Sequence, residues 1–278
     1  MTSMQKPPCR CAAWHRIRRS TPGGRTAPVP GGLIIVLCLV VAALAAIPGS
    51  PAADTGTHPP TRFGIPPGET LITRTTDLRT GESTSDTTWI TYIGSEDPPC
   101  YVARRSGSGL TTVIRMNEAT LLPSRYQLVA SDGHMERQIE FSEKALRITG
   151  NDEGEAGVIE TGGTTHTGAT LLQYLRVLAG RPAPARTDFR LLVVRGHGKY
   201  RVVGAYARRT GEEDISVPAG SFRCVRIEFG IAGVIGRLFW RTRYHYYYTL
   251  AAPHHFVKYV DPDGEKIELV EYGCADTP

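Results

Sequence analysis

From Glu69 to Tyr272 the chain alternates apolar and polar residues with period two, in runs broken by turn residues. Met135, Arg137, Ile139 and Phe141 fall on one side of such a run, with Glu136, Gln138 and Glu140 on the other. Tyr200, Val202, Gly204 and Tyr206 repeat the pattern, and so do Leu238, Trp240, Thr242, Tyr244, Tyr246 and Tyr248. The last set is opposed by Arg241, Arg243 and His245. Successive side chains of a strand point to opposite faces, so the pattern predicts antiparallel strands packed on one face and wetted on the other. Ser131-Asp132-Gly133, Thr210-Gly211, Pro218-Ala219-Gly220 and Asp261-Pro262-Asp263-Gly264 read as the connections, which gives about a dozen strands.

One segment departs from period two. Ala169–Ala179 places Leu171, Leu175 and Leu178 at helical spacing, with Leu172 beside them. Thr167 or Gly168 can cap its start, and Gly180 followed by Pro182 stops it. A helix at about 169–179 that is apolar almost all round belongs inside, against a curved sheet. Phe229–Phe239, with glycines at 230, 233 and 236, suits a bent strand pair or a loop over the core. The predicted architecture is mainly β, a large and strongly curved antiparallel sheet around one central helix. No linker interrupts 69–273, which predicts one β-rich domain, with 274–278 as a tail.

Residues 1–53 carry six cations (Lys6, Arg10, Arg16, Arg18, Arg19, Arg25) and no carboxylate, followed within the segment by the apolar run Leu33–Ile47. Small residues up to Ala53 suit cleavage, so the segment reads as a signal peptide. Fifteen apolar residues fall short of the roughly 20 that span a bilayer, which favours a cleaved signal over an anchor at 31–47. Arg18-Arg19 lies too far from the apolar run for a twin-arginine signal, and Leu37 before Cys38 does not suit lipidation. Positive charge stays inside, so the bulk of the chain is expected outside the cytoplasm, periplasmic or extracellular. Residues 54–68, rich in Pro, Gly and Thr, read as an extended tether.

The whole chain has 32 Lys plus Arg against 27 Asp plus Glu, but without the leader the balance is 26 against 27. That near-neutral remainder disfavours a nucleic-acid partner. Membrane contact is expected only through the N-terminal segment, where that segment stays uncleaved. In an oxidising compartment Cys100, Cys224 and Cys274 are disulfide candidates, with three single pairings open.

The hinge Val217-Pro218-Ala219-Gly220-Ser221-Phe222, followed by Cys224-Val225-Arg226-Ile227, resembles a large family of exported bacterial domains of unknown function. In that family a V-P-[AT]-G-[ST]-[FY] turn joins two strands. The resemblance extends to Trp240–Tyr248, Pro253–Tyr259 and Ile267–Tyr272, with weaker matches at Leu121–Ser124 and Ile139–Phe141. It implies an open β-roll or half-barrel around a helix, similar in shape to periplasmic lipoprotein carriers. No catalytic residues are established for the family, and none is carried over. The tyrosines at 244 and 246–248 exceed the aromatic density expected there.

No motif points to catalysis or to a cofactor. Gly163–Thr170 (GTTHTGAT) matches a phosphate-binding loop except for Ala169 in place of the lysine, and is better read as a helix cap. The histidines form no metal-ligating set, and adjacent His254 and His255 face opposite sides of a strand. Asp261–Gly264 lacks the spacing of a calcium loop. Ser108 has no base beside it, and Glu136 and Glu140 are the wetted side of a strand. The expected function is therefore a non-enzymatic envelope protein that binds a lipid, a glycan or another envelope protein. Trp240, Tyr244, Tyr246 and Tyr248 either line the core, with Arg241 and Arg243 on the wetted face, or line a concave cleft for an amphipathic ligand with those arginines at its rim. The alternatives are an assembly factor that pairs through a free sheet edge, at Leu71–Leu78 or the last strand, and a cell-wall or lipid hydrolase using Glu136, Glu140 or His254.

Overall fold

A computed structural model describes residues 63–150, 157–194, 200–232, 243–261 and 264–274. Seven strands form the first half of a meander: β1 (Glu69–Asp77), β2 (Ser83–Ile93), β3 (Cys100–Gly107), β4 (Leu110–Asn117), β5 (Pro123–Ala130), β6 (Met135–Phe141) and β7 (Ala145–Gly150). Short β8 (Gly157–Glu160) and β9 (Thr165–His166) lead to the helix α1 (Gly168–Ala179). The chain continues through β10 (Arg186–Val194), β11 (Tyr200–Val217), β12 (Gly220–Ile231), β13 (Tyr244–Thr249), β14 (Phe256–Val260) and β15 (Glu265–Cys274). All lie in one open, curved sheet of 15 strands among the described residues, more than the dozen expected, in the order β8-β7-β6-β5-β4-β3-β2-β1-β15-β14-β13-β12-β11-β10-β9.

The ladders are antiparallel except β9–β10, which is parallel because α1 carries the chain back between them. Register shifts at Ile72/Thr73, Arg115/Met116, Leu128/Val129, Arg209/Gly211 and Tyr247/Tyr248 add the local bends that a strongly curved sheet needs. Thr210-Gly211 is one of these bulges and not the expected turn: β11 runs straight through it, and the guanidinium of Arg226 on β12 donates to the Thr210 hydroxyl at 3.0 Å. The other turns fall where expected. Ala130 N–H donates to His134 O across Ser131–Gly133, and Asp261 N–H donates to Glu265 O at the β14–β15 connection.

The two edges of the sheet, β8 and β9, are consecutive strands joined through residues 161–164. Five residue steps from Glu160 to Thr165 reach at most about 17 Å, so the sheet rolls until its ends approach. Thr165 and His166 of the β9 edge are 3% and 0% exposed, so that edge is tucked inside. Leu191 and its neighbour Leu192 on β10 are 8% and 0% exposed, so both faces of the strand are covered. Leu191 packs with the helix and the tyrosines of β13, and Leu192 with Ile90, Tyr101 and Ile139 of the first half.

Helix α1 is the link between these two cores. Leu171, Leu175 and Leu178 join the first, while Ala169 and Val177 pack against the second. Its start is held by a reciprocal pair: Thr170 N–H donates to the Thr167 hydroxyl, and Thr167 N–H to the Thr170 hydroxyl. The loop before it thus spends its first amides internally. Among the described residues no helix is long and apolar enough to cross a membrane.

Candidate functional site

The aromatic face of β13 is part of the core. Tyr244, Tyr246 and Tyr248 are 7%, 8% and 0% exposed and pack with Phe229, Phe256, Tyr259 and α1. The Tyr248 hydroxyl donates to the Leu172 carbonyl of the helix at 2.7 Å, so burial does not leave it unpaired. These three side chains therefore line a packed helix–sheet contact and not an open cleft. Trp240 and Arg241 lie outside the described residues.

Arg243 faces the other way, as alternation requires. It donates to Glu228 at 2.6 Å, and Arg208 and the Tyr206 hydroxyl bond the same carboxylate. Burial works against that charge, yet the hydrogen bonds from Arg208 and Arg243 hold the Glu228 carboxyl below its usual range. A shallow depression of about 680 Å³ opens beside it, ringed by Arg186, Arg208, Arg209 and Arg226. Each guanidinium is matched: Arg186 to Asp188, Arg209 to Glu212 and Arg226 to Glu213. This face is a knit surface network.

A second depression, of about 510 Å³, opens where β12 begins and β13 passes to β14. Its lining includes Phe222, Arg223, Leu250, Ala251, Ala252 and His255. The backbone sets it up. The Pro218-Ala219 hairpin joins β11 to β12 through Gly220 at φ 130°, and Ala219 N–H donates to Leu269 O of β15. Leu250 N–H donates to Arg223 O at 2.8 Å, which seals one wall. Thr249 N–H donates to His255 O, and His254 N–H to Ala251 O, closing the loop into a tight turn. His254 takes the strained corner at φ 54°, and its Nδ1 lies 3.0 Å from Thr249 O. The adjacent histidines lie in the loop before β14 and not on a strand: His254 sits against Gly180 at the helix end, and His255 is buried against Tyr272.

His255 is 8% exposed, and neither ring nitrogen has a hydrogen-bonding partner among the described residues. Its ring stacks on Tyr272 with centroids 4.2 Å apart and meets the Phe222 edge at 5.7 Å. Burial depresses its pKa to about 4, with the charges of Arg176 and His254 adding to the effect. The ring is therefore neutral at neutral pH, with one donor and one acceptor. At the rim, Arg223 is drawn off by Asp214 at 3.3 Å and Glu212 at 3.8 Å. Near the ring lies the most buried ion pair among the described residues: Arg176 of α1 grips Glu69 of β1 through bonds of 2.6 and 3.1 Å, with side chains 1% and 0% exposed. Sequence reasoning passed over His255, Phe222 and Arg223 as site residues. Their sole advance sign was that two stretches of the family resemblance, Val217–Phe222 and Pro253–Tyr259, each supply lining residues here.

The remaining candidates stay apart. Glu140 sits 3.7 Å from Arg125 and accepts from Gln138, and β6 is separated from β14 by six strands of the sheet order. Ser108 is the φ 52° corner of the β3–β4 hairpin. Cys100 and Cys224 are buried free thiols and Cys274 an exposed one. Among the described residues no three His, Cys, Asp or Glu side chains are grouped to hold a metal ion.

No family model matches this chain, and no curated protein does. Among solved structures, the chain is similar to a β-barrel-like protein of domain of unknown function DUF1849 from Brucella abortus. That likeness covers 75% of this chain and 98% of the other, at 10% identity and a TM-score of 0.45. It is also similar to the hypothetical lipoprotein YmcC from Escherichia coli, over 74% of this chain and 87% of the other, at 9% identity and a TM-score of 0.34.

Proposed function

We propose that this chain is an exported, non-catalytic envelope protein that works by binding, and that its ligand is a small amphipathic molecule. The observation that carries the reading is the depression over His255. It sets the apolar Phe222, Leu250, Ala251 and Ala252 beside the polar Ser221, Arg223 and Thr249, the combination of apolar surface and a few polar groups that small-ligand sites use. Because α1 and the β13 tyrosines occupy the concave side together, the ligand is assigned to this mouth and not to the hollow. Export rests on the six leader cations, the absence of leader carboxylates and the following apolar run.

The export half is tested by fusing alkaline phosphatase after residue 62. Activity of the fusion is expected, falling when Arg16, Arg18 and Arg19 become Glu; a soluble cytoplasmic protein that keeps residues 1–53 would overturn it. The binding half is tested by native mass spectrometry of the protein released from its host. A second reading, partnership through a sheet edge, keeps one observation. The expected edges at Leu71–Leu78 and the last strand are ruled out, because β1 and β15 pair with each other at the centre of the sheet. The exposed edge is instead β8, where Val158 is 66% exposed.

A further inference from the structure

We infer that the depression ringed by Arg186, Arg208, Arg209 and Arg226 is a site for a phosphate group, carried by a small soluble phosphate or by a lipid headgroup. It shares no lining residue with the depression over His255, so the inference does not rest on the binding reading above. The first observation is a pairing. Arg186 of β10 and Arg208 of β11 are direct cross-strand partners, both exposed and both part of the lining. Side chains so placed have Cβ atoms about 4.5–5.5 Å apart, and like charges there repel. An anion between the two guanidiniums turns that repulsion into attraction.

The carboxylates of the network do not balance it. Among the described residues, the five guanidiniums of Arg186, Arg208, Arg209, Arg226 and Arg243 share the four carboxylates of Asp188, Glu212, Glu213 and Glu228, because Glu228 holds both Arg208 and Arg243. Including Arg223 with Asp214 leaves the same single excess of positive charge. Glu228 is the one carboxylate in the lining; its side chain is 8% exposed and already takes Arg208, Arg243 and the Tyr206 hydroxyl. The guanidiniums are also held by contacts that an anion leaves intact. Arg186 lies 4.7 Å over the Tyr206 ring, Arg209 donates to the carbonyls of Ala179 and Arg181, and Arg226 donates to the Thr210 hydroxyl. By contrast, the Arg186–Asp188 pair has side chains 55% and 63% exposed, the kind of surface pair that contributes little and yields to a stronger anion. A phosphate group brings a charge of about −1.5 to −2 at pH 7 and three acceptor oxygens that match guanidinium forks. A monocarboxylate brings one charge and two oxygens, and answers fewer of the four arginines.

The test titrates the purified full chain with inorganic phosphate and, separately, with acetate, at pH 7 and constant ionic strength, by isothermal calorimetry. Saturable phosphate binding at least tenfold tighter than acetate is expected. Arg186→Gln and Arg208→Gln are each expected to weaken it at least tenfold with an unchanged melting temperature. Asp188→Asn releases Arg186 and is expected to tighten phosphate severalfold. Arg190→Gln removes an exposed cation of β10 that lies outside the lining, and is expected to leave the affinity unchanged. Flotation with phosphatidylcholine vesicles, with and without phosphatidic acid, then separates the two sources. Binding to the phosphatidic acid vesicles that Arg186→Gln abolishes places the phosphate on a lipid, and no vesicle binding places it on a soluble ligand. The site is overturned by the lack of saturable phosphate binding or by acetate binding as tightly. It is equally overturned if Asp188→Asn weakens phosphate, or if Arg190→Gln weakens it as much as Arg186→Gln does.

Discussion

At the scale of single residues, the fold depends on polar groups placed where water does not reach. Arg176 and Glu69 are joined across 107 positions of sequence and tie the helix to the first strand. Removing one partner leaves a buried charge unanswered, which costs about 3–5 kcal/mol. Glu69→Gln is therefore expected to lower stability by that amount in urea unfolding, and Arg176→Met with Glu69→Leu to recover most of it. His166 is a different case. It is 0% exposed, stacked on Tyr174 at 4.1 Å, and burial depresses its pKa to about 3. At pH 7 the folded ring is neutral and the unfolded ring mostly so, and it adds little pH dependence there. Below about pH 6.5 the unfolded ring takes a proton that the folded one refuses until about 3, so stability falls with pH across that window. At pH 5 the loss from this residue is about 2 kcal/mol. His166→Phe keeps the stack with Tyr174 and Phe189 and should shrink the difference between unfolding at pH 7 and pH 5 by about that much.

At the scale of elements, α1 is the piece that decides what the interior can hold. Its apolar side chains fill the space that the β13 tyrosines would otherwise enclose, and Tyr248 is hydrogen-bonded to its backbone. Leu175→Ala opens a void at a position 0% exposed and is expected to cost about 2–5 kcal/mol, measured by chemical denaturation. Thr167→Ala removes the hydroxyl that accepts from Thr170 N–H and should cost about 1 kcal/mol without moving the helix. The helix was legible in advance because leucine spacing, a capping threonine and the Gly180 stop agree with one another. The bulge at Thr210-Gly211 was not, because a Thr-Gly pair has the same local signature in a hairpin and in a bulged strand. Which one forms is settled by the partner: β12 pairs with β11 on both sides of the bulge.

At the scale of the whole molecule, the first and last strands meet in the middle of the sheet and its edges are made by strands adjacent in sequence. Deleting β15 would strip β1 and β14 of a partner at once. A chain ending at residue 264 is therefore expected to lose its single cooperative unfolding transition, which thermal unfolding followed by near-ultraviolet circular dichroism would register. The period-two runs, the turns other than Thr210-Gly211 and the helix were determined by sequence alone, because side-chain alternation, turn chemistry and capping are local properties of a few neighbouring residues. So was the expectation of export, since the leader charges and apolar run need no fold to be read. Tertiary structure alone decided that β1 and β15 are central, that the tyrosines of β13 are core, and that Phe222, Arg223 and His255 share one mouth. The physical reason is distance along the chain: alternation tells which residues share a face, and only the rolled sheet decides whether that face meets a helix, another strand or water.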